Sequence, residues 1–311
     1  MKVLVLTCLL SGFLTSCGSD DGGGGNQIQL RDPEEVKVEN QIEIEDFLAT
    51  HFFEFVENPQ NPNFQKFQFD TIAGDNNDKS PIIDSELLQS KQIIQRGVEY
   101  TLYYLIKREG NLSERKPTFA DSTLVTFQGL TIENEIFDTN PNPVWFDLPQ
   151  TVRGFYELLP ELRGASGFVQ NDDGTVTFDD DFGIGVVFVP SGLGFFGSPP
   201  IGTPIKQYQP IIFAIQLYKS KEADHDLDGI PSFMEDLNNN GRVNDLRDGD
   251  DIGDDTSGNG FPNYLDPDDD RDGVLTRDEI IINEDGSLEF PDSNGNGTPD
   301  YLDDTFPGES I

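Results

Sequence analysis

The sequence predicts an α+β chain: a curved antiparallel sheet around one short helix, with an N-terminal α/β extension and an irregular acidic C-terminal segment. Three observations carry this. Between Asp121 and Lys219 the chain breaks into short aromatic and β-branched runs separated by turn residues. One helical stripe interrupts them, formed by Phe155, Leu158, Leu159 and Leu162. From Asp224 onward, 26 acidic residues face four Arg and no Lys, so −22 of the formal charge of −38 sits there. Such a surface repels nucleic acid and suits divalent cations.

The first seventeen residues read as a targeting segment. Met1-Lys2 give the positive start, Val3 to Leu14 are mostly apolar, and Leu14-Thr15-Ser16-Cys17 resembles the lipobox of bacterial lipoproteins. That apolar stretch is too short for an ordinary membrane-spanning helix. The resemblance implies cleavage before Cys17, lipid on its thiol and membrane anchoring through the acyl chains. Gly18 favours the outer membrane, and the Ser-Asp-Asp that follows resembles surface-export signals of Bacteroidetes lipoproteins. The periplasmic and outer faces both stay open. Cys8 and Cys17 are the only cysteines, so there is no disulfide framework. Residues 18–40, with Gly22 to Gly25, read as a flexible linker.

Residues 41–120 form the extension. Ile44, Phe47, Leu48, Phe52 and Phe55 recur at helical spacing and predict an amphipathic helix over Glu43 to Glu57, with His51 in a packing or solvent-facing role and not a ligand. Phe64, Phe67 and Phe69 suggest a short strand. Val98 to Ile106 is a strand apolar on both faces, which places it inside a sheet. The extension thereby supplies strands to the next domain.

Residues 121–220 are the α+β domain. Strands are expected at Leu124–Leu130, Val186–Val189 and Pro210–Leu217, a hairpin turn at Asn171-Asp172-Asp173-Gly174, and the short helix around Gly154 to Leu162. Five segments occur in order: Val125-Thr-Phe-Gln-Gly129, Ile136-Phe-Asp138, Thr151-Val-Arg-Gly-Phe155 with Glu157, Val189-Pro-Ser-Gly-Leu-Gly-Phe195, and Ile211-Ile-Phe-Ala-Ile-Gln-Leu217. Together they resemble the FKBP-type peptidyl-prolyl isomerases over about a hundred residues. The resemblance implies an aromatic bowl lined by Phe127, Phe137, Asp138, Val152, Phe155, Phe195 and Phe213. Val144 or Phe146 is a further wall and Ile205 a rim residue. Phe155 replaces the family's usual Trp, and Phe127 and Phe195 its usual Tyr, so two hydroxyls are missing. Turnover in this family needs no cofactor.

Residues 221–311 repeat one spacing. Asp224, Asp226, Asp228, Gly229 and Glu235 occupy positions 1, 3, 5, 6 and 12 of a loop, which is the ligand spacing of a calcium loop. Asp268, Asp270, Asp272, Gly273 and Glu279 repeat it. Weaker copies run from Asp255 (Ser257, Asn259, Asp266) and Asp292 (Asn294, Asn296, Asp303), and one from Asp236 ends in Arg247. His225 is expected to point outward. Gly-Phe-Pro-Asn-Tyr-Leu-Asp266 and Gly-Thr-Pro-Asp-Tyr-Leu-Asp303 resemble thrombospondin type 3 repeats, which implies bound Ca2+.

The functional expectation is an envelope isomerase acting on unfolded or maturing exported proteins with X-Pro bonds. A non-catalytic holdase for Pro-containing segments is one alternative. A calcium-stabilised spacer or adhesive lipoprotein with a relic fold is the other.

Overall fold

The computed structural model describes residues 30–244 and 253–306. Helix α1 spans Pro33–Thr50. Proline sits in its first turn, and Asp32 accepts hydrogen bonds from the Glu34 and Glu35 amides. Both choices suit a helix start, where N–H groups lack partners and negative charge is favoured. The helix therefore begins inside the stretch read as linker and ends before Phe52. His51–Val56 is strand β1, paired antiparallel with β2, Lys66–Thr71. Phe52 and Phe55, expected in the helix, lie in this hairpin. The physical reason is the aromatic run Phe52-Phe53-Glu54-Phe55, which gains cross-strand ring contacts: Phe53 and Phe55 approach Phe67 at 5.7 and 5.6 Å. His51 stacks on Phe47 at 4.0 Å as the helix gives way to the strand.

Strands β3 (Leu88–Gln95), β4 (Val98–Arg108), β5 (Ser122–Thr131) and β6 (Ile136–Asp147) follow. Helix α2 is only Arg153–Tyr156, continued by a 3-10 turn at Leu159–Glu161. Pro160 lacks the amide that a continuous helix would need. The hairpin β7 (Phe168–Gln170) and β8 (Val176–Phe178) turns through Asn171–Gly174. Strands β9 (Gly183–Val189) and β10 (Ile211–Lys221) complete a six-stranded antiparallel sheet in the order β3-β4-β9-β10-β5-β6.

This sheet is covered on both faces, which explains why β9 and β10 read as continuous apolar runs. Val187, Val189, Phe213, Ile215 and Leu217 face α2 and the leucines that follow it, Leu158, Leu159 and Leu162. Val186, Phe188, Ile212 and Ala214 face Ile44, Phe47 and Leu48 of α1 and Phe67 of β2. Strands β3 and β4, from the extension, stand on one side of this sheet.

The acidic segment contains 3-10 turns at Ser232–Glu235, Asn263–Leu265, Thr276–Asp278 and Asp300–Leu302, and one small hairpin of β11 (Ile281–Ile282) and β12 (Leu288–Glu289). It is fastened to the sheet domain. Arg153 Nη2 donates to the Asn240 carbonyl at 2.7 Å, and Asn244 donates to the Pro149 carbonyl at 3.3 Å. Val243 and Tyr264 pack with Ala120, against which Phe119 and Phe233 also lie. Among the described residues no helix is long and apolar enough to cross a membrane, and Cys17 lies outside them.

Candidate functional site

Three elements bring the aromatic residues together. Strand β5 supplies Phe127, β10 supplies Phe213, and α2 supplies Phe155. Phe155 is the hub. Its ring lies 5.1 Å from Phe213, 5.9 Å from Phe127 and 5.5 Å from Phe146, all steeply inclined to it. Edge-to-face contacts of this kind suit the charge distribution of aromatic rings. Phe137 joins through Phe213 at 5.5 Å. Phe127, Phe155 and Phe213 are buried, while Phe137, Phe146, Val152 and Phe195 are half-buried against the same core. The first three are the buried part of the cluster, and the other four pack against it. Ile205 is buried in that core too. Between Val144 and Phe146, the residue that meets the hub is Phe146.

Gly129 positions Phe137. A Cβ on Gly129 would fall 2.5 Å from Phe137 Cζ, so the ring lies where only glycine leaves room. Asp138 pairs with Gly129 across β5 and β6 but its side chain is exposed. Its carboxylate makes no hydrogen bond or ion pair with any described residue. With phenylalanine at position 127, no hydroxyl is present there to meet it.

The loop after β9 carries Phe195 and is held by α1. Asn40, buried in the helix, accepts from the Ser191 amide and hydroxyl and donates to the Tyr208 carbonyl at 2.8 Å. Tyr100 of β4 packs over Gly192, where a Cβ would meet its hydroxyl at 2.2 Å. None of these supports stood out in the sequence as part of the site. Buried asparagine on an otherwise apolar helix stripe was the available signal for Asn40.

The acidic loops fall into two kinds. In the first loop, Asp224, Asp226 and Asp228 bring one oxygen each within 4.8 Å of one another, and Asp268, Asp270 and Asp272 do so in the fourth. The same carboxylates fold the loop: Asp224 accepts from the Leu227 amide with one oxygen and from the Gly229 amide with the other, and Asp272 accepts from Val274. Asp226, Asp228, Glu235, Asp268, Asp270, Asp272 and Glu279 each keep a buried oxygen without a hydrogen-bond partner. The loops at Asp255 and Asp292 differ. Asp266 accepts from Asn259 at 2.7 Å, and Asp303 accepts from both Asn294 and Asn296 at 2.7 Å. There the amide donors already satisfy the carboxylate. Arg247, at the end of the copy from Asp236, lies outside the described residues.

Electrostatics separates the two kinds further. Burial, reinforced by neighbouring carboxylates, pushes Asp226 and Asp270 up to about 6, Asp228 to about 7 and Glu279 to about 8. Glu235 rises to about 11 and Asp269 to about 9 for the same reasons. Asp303 instead is held below the usual carboxylate range, chiefly by the Thr305 hydroxyl.

His225 does not point outward. Its Nε2 meets Asp147 at 2.9 Å, its Nδ1 meets Ser232 Oγ at 2.8 Å, and its ring sits edge-on to Tyr264. The bond to Asp147 raises its pKa above the ordinary value. The imidazole thus ties the first loop to the end of β6, a partnership between residues distant in the chain.

Residues 225–291 match a family model described as BamM C-terminal. That family is unrelated to thrombospondin, so the match lends no support to the likeness of this stretch to thrombospondin type 3 repeats. No curated protein matches the chain. Among solved structures, a peptidyl-prolyl cis-trans isomerase from Pseudomonas syringae is 16% identical, covering 45% of this chain and 84% of that one, with a TM-score of 0.33. FkpA from Escherichia coli is 18% identical over 44% of this chain and 53% of its own, with a TM-score of 0.33. The N-terminal domain of FKBP42 from Arabidopsis thaliana is 12% identical over 46% of this chain and 98% of its own, again at 0.33. The chain spans about half the length of FkpA, and it is similar to each of the three over less than half of itself.

Proposed function

We propose that the chain is a peptidyl-prolyl cis-trans isomerase of the FKBP type, lipid-anchored through Cys17 at a bacterial outer membrane and acting on exported proteins with X-Pro bonds. The observation that carries this is the gathering of Phe127, Phe137, Phe155 and Phe213 from four of the five ordered sequence segments into one ring cluster, with Phe195 of the remaining segment packed against the same core.

Rotation about an X-Pro bond must break amide resonance, at a barrier of about 18–20 kcal/mol. The planar amide is the more charge-separated state, and water stabilises it. An apolar bowl removes that water and favours the twisted form, provided contacts elsewhere on the peptide hold it. Phe155 would underlie the prolyl ring, with Phe137 and Phe195 at its sides and Asp138 facing the flanking backbone. No proton transfer or nucleophile is required. Missing hydroxyls at positions 127 and 195 would each cost on the order of 1 kcal/mol of hydrogen bonding. A protease-coupled assay on an X-Pro peptide is expected to show turnover above buffer, and a rate equal to buffer refutes the reading.

Binding without turnover is the second reading, because phenylalanine at positions 127 and 195 removes hydroxyl contacts to a twisted peptide while keeping the apolar rings. Peptide affinity that survives with no rate acceleration selects it.

In the acidic segment, orphaned buried carboxylate oxygens in the first and fourth loops fit Ca2+, which takes six to eight oxygen ligands. Asp224, Asp226, Asp228 and Glu235 would hold one ion, and Asp268, Asp270, Asp272 and Glu279 another. The ions would neutralise charge that otherwise drives these loops apart.

A further inference from the structure

We propose that Asp228, Glu235 and Asp269 together hold a hard divalent cation of the calcium class that fastens the first acidic loop to the fourth. The proposal rests on the calcium reading of this segment and adds a ligand that the loop spacing does not contain. Asp228 and Glu235 occupy positions 5 and 12 of the first loop. Asp269 falls between Asp268 and Asp270, at position 2 of the fourth, where the spacing assigns no ligand.

The three carboxyl groups converge from separate parts of the chain. One oxygen of each lies within 4.8 Å of the other two. Their residues are 2%, 1% and 1% exposed. Asp228 uses Oδ1 to accept the Ile230 amide at 2.7 Å, which leaves Oδ2 facing the cluster. Neither oxygen of Glu235 has a hydrogen-bond partner, and the Asp269 carboxylate has only the neighbouring Thr276 hydroxyl, off ideal hydrogen-bond geometry, as a donor. No Lys, Arg or His side chain among the described residues pairs with any of the three. Carboxylates withdrawn from water with so few donors and no counter-charge are strongly destabilising, and these three also repel one another.

The surroundings are built and not merely acidic. Ile230, Ile280 and Tyr301, from the first, fourth and fifth loops, form a small apolar core. Tyr301 shares this core with Ile230, two residues beyond Asp228, and with Ile280, next to Glu279. Relaxing the trio into water would mean opening that core. A cation resolves the repulsion without opening it. The ligands are all oxygen, with no nitrogen or sulfur, which selects a hard ion over a transition metal.

The test is calorimetric titration of the full chain with calcium, comparing wild type, Asp269→Asn and the exposed control Asp278→Asn. Asp269→Asn is expected to weaken one class of site by roughly tenfold or more, while Asp278→Asn titrates as wild type. Calcium binding by wild type with identical isotherms for the two variants overturns the inter-loop site and leaves the loops standing. No binding by wild type overturns both. Should Asp269→Asn fail to fold, terbium replaces calcium, with emission excited through tyrosine. Tyr301→Phe is then expected to lose the emission of one site, and unchanged emission overturns the proposal.

Discussion

Asn40 of α1 and Ser191, the first residue of the turn after β9, are joined twice: the asparagine carbonyl oxygen accepts the Ser191 amide at 2.8 Å and its hydroxyl at 2.6 Å. This fully buried joint places the N-terminal helix in direct control of the loop that carries Phe195. Asn40→Ala should strand three polar groups, on Ser191 and Tyr208, and cost about 1–3 kcal/mol. Urea denaturation measures that loss. Turnover should fall several-fold as well, because Phe195 loses its fixed support. A variant as stable and as active as wild type would show that the helix is a bystander.

Gly129→Ala separates Phe137 from the rest of the cluster. The new methyl would meet the ring at 2.5 Å, so Phe137 must swing away while β5 keeps its hydrogen bonds. Alanine is otherwise acceptable in a strand. Isomerase activity should drop by more than stability does, read by kcat/KM beside a thermal melt.

Truncating the rings has graded effects. Phe155→Ala empties the hub and should cost about 3–5 kcal/mol. Phe137→Ala acts on a half-buried ring and should cost less stability yet abolish most turnover. Equal loss of stability from both would argue that Phe137 is ordinary core.

Arg153 ties α2 to β3 and to the acidic segment at once. It donates to Glu157, to the Ile94 carbonyl, to Gln95 and to the Asn240 carbonyl. Arg153→Met keeps the stem and removes these donors. Limited proteolysis should then cut first between 222 and 244, and turnover should fall because Phe155 lies two residues away. Unchanged cleavage would place the attachment elsewhere.

Chelation should act unequally on the loops. On the proposed calcium reading those at Asp224 and Asp268 would depend on a cation, whereas Asp266 and Asp303 already have amide donors. A chelator should raise hydrogen exchange across 224–235 and 268–279 before 255–266 and 292–303. Uniform exchange would contradict the distinction.

Much of the sheet was legible because its signals are local. Strands β4, β5, β9 and β10 carry apolar runs, and Asn171–Gly174 carries the turn chemistry of a hairpin. The start of α1 was missed although Asp32-Pro33 signals it, since the glycine run upstream suggested that the tether continued. Phe52 and Phe55 satisfy helical spacing and strand composition alike, and pairing with β2 decides between them. Choosing between Val144 and Phe146 failed for a physical reason. The β5–β6 pair shifts register twice, at Val125/Phe127 and at Gly129/Leu130, so counting from Asp138 loses the face. Asp269 and the inward turn of His225 depend on contacts between distant segments, which spacing within one loop does not encode.

The two-sided covering of the sheet has a practical meaning for anyone trimming this protein. A fragment beginning at β5 would keep the aromatic bowl on paper but lose α1, β1 and β2 as well as two neighbouring strands. Phe188, Ile212 and Ala214 would then face solvent as a greasy slab with a raw edge, and such fragments clump. The minimal well-behaved fragment is therefore expected to start near Asp32.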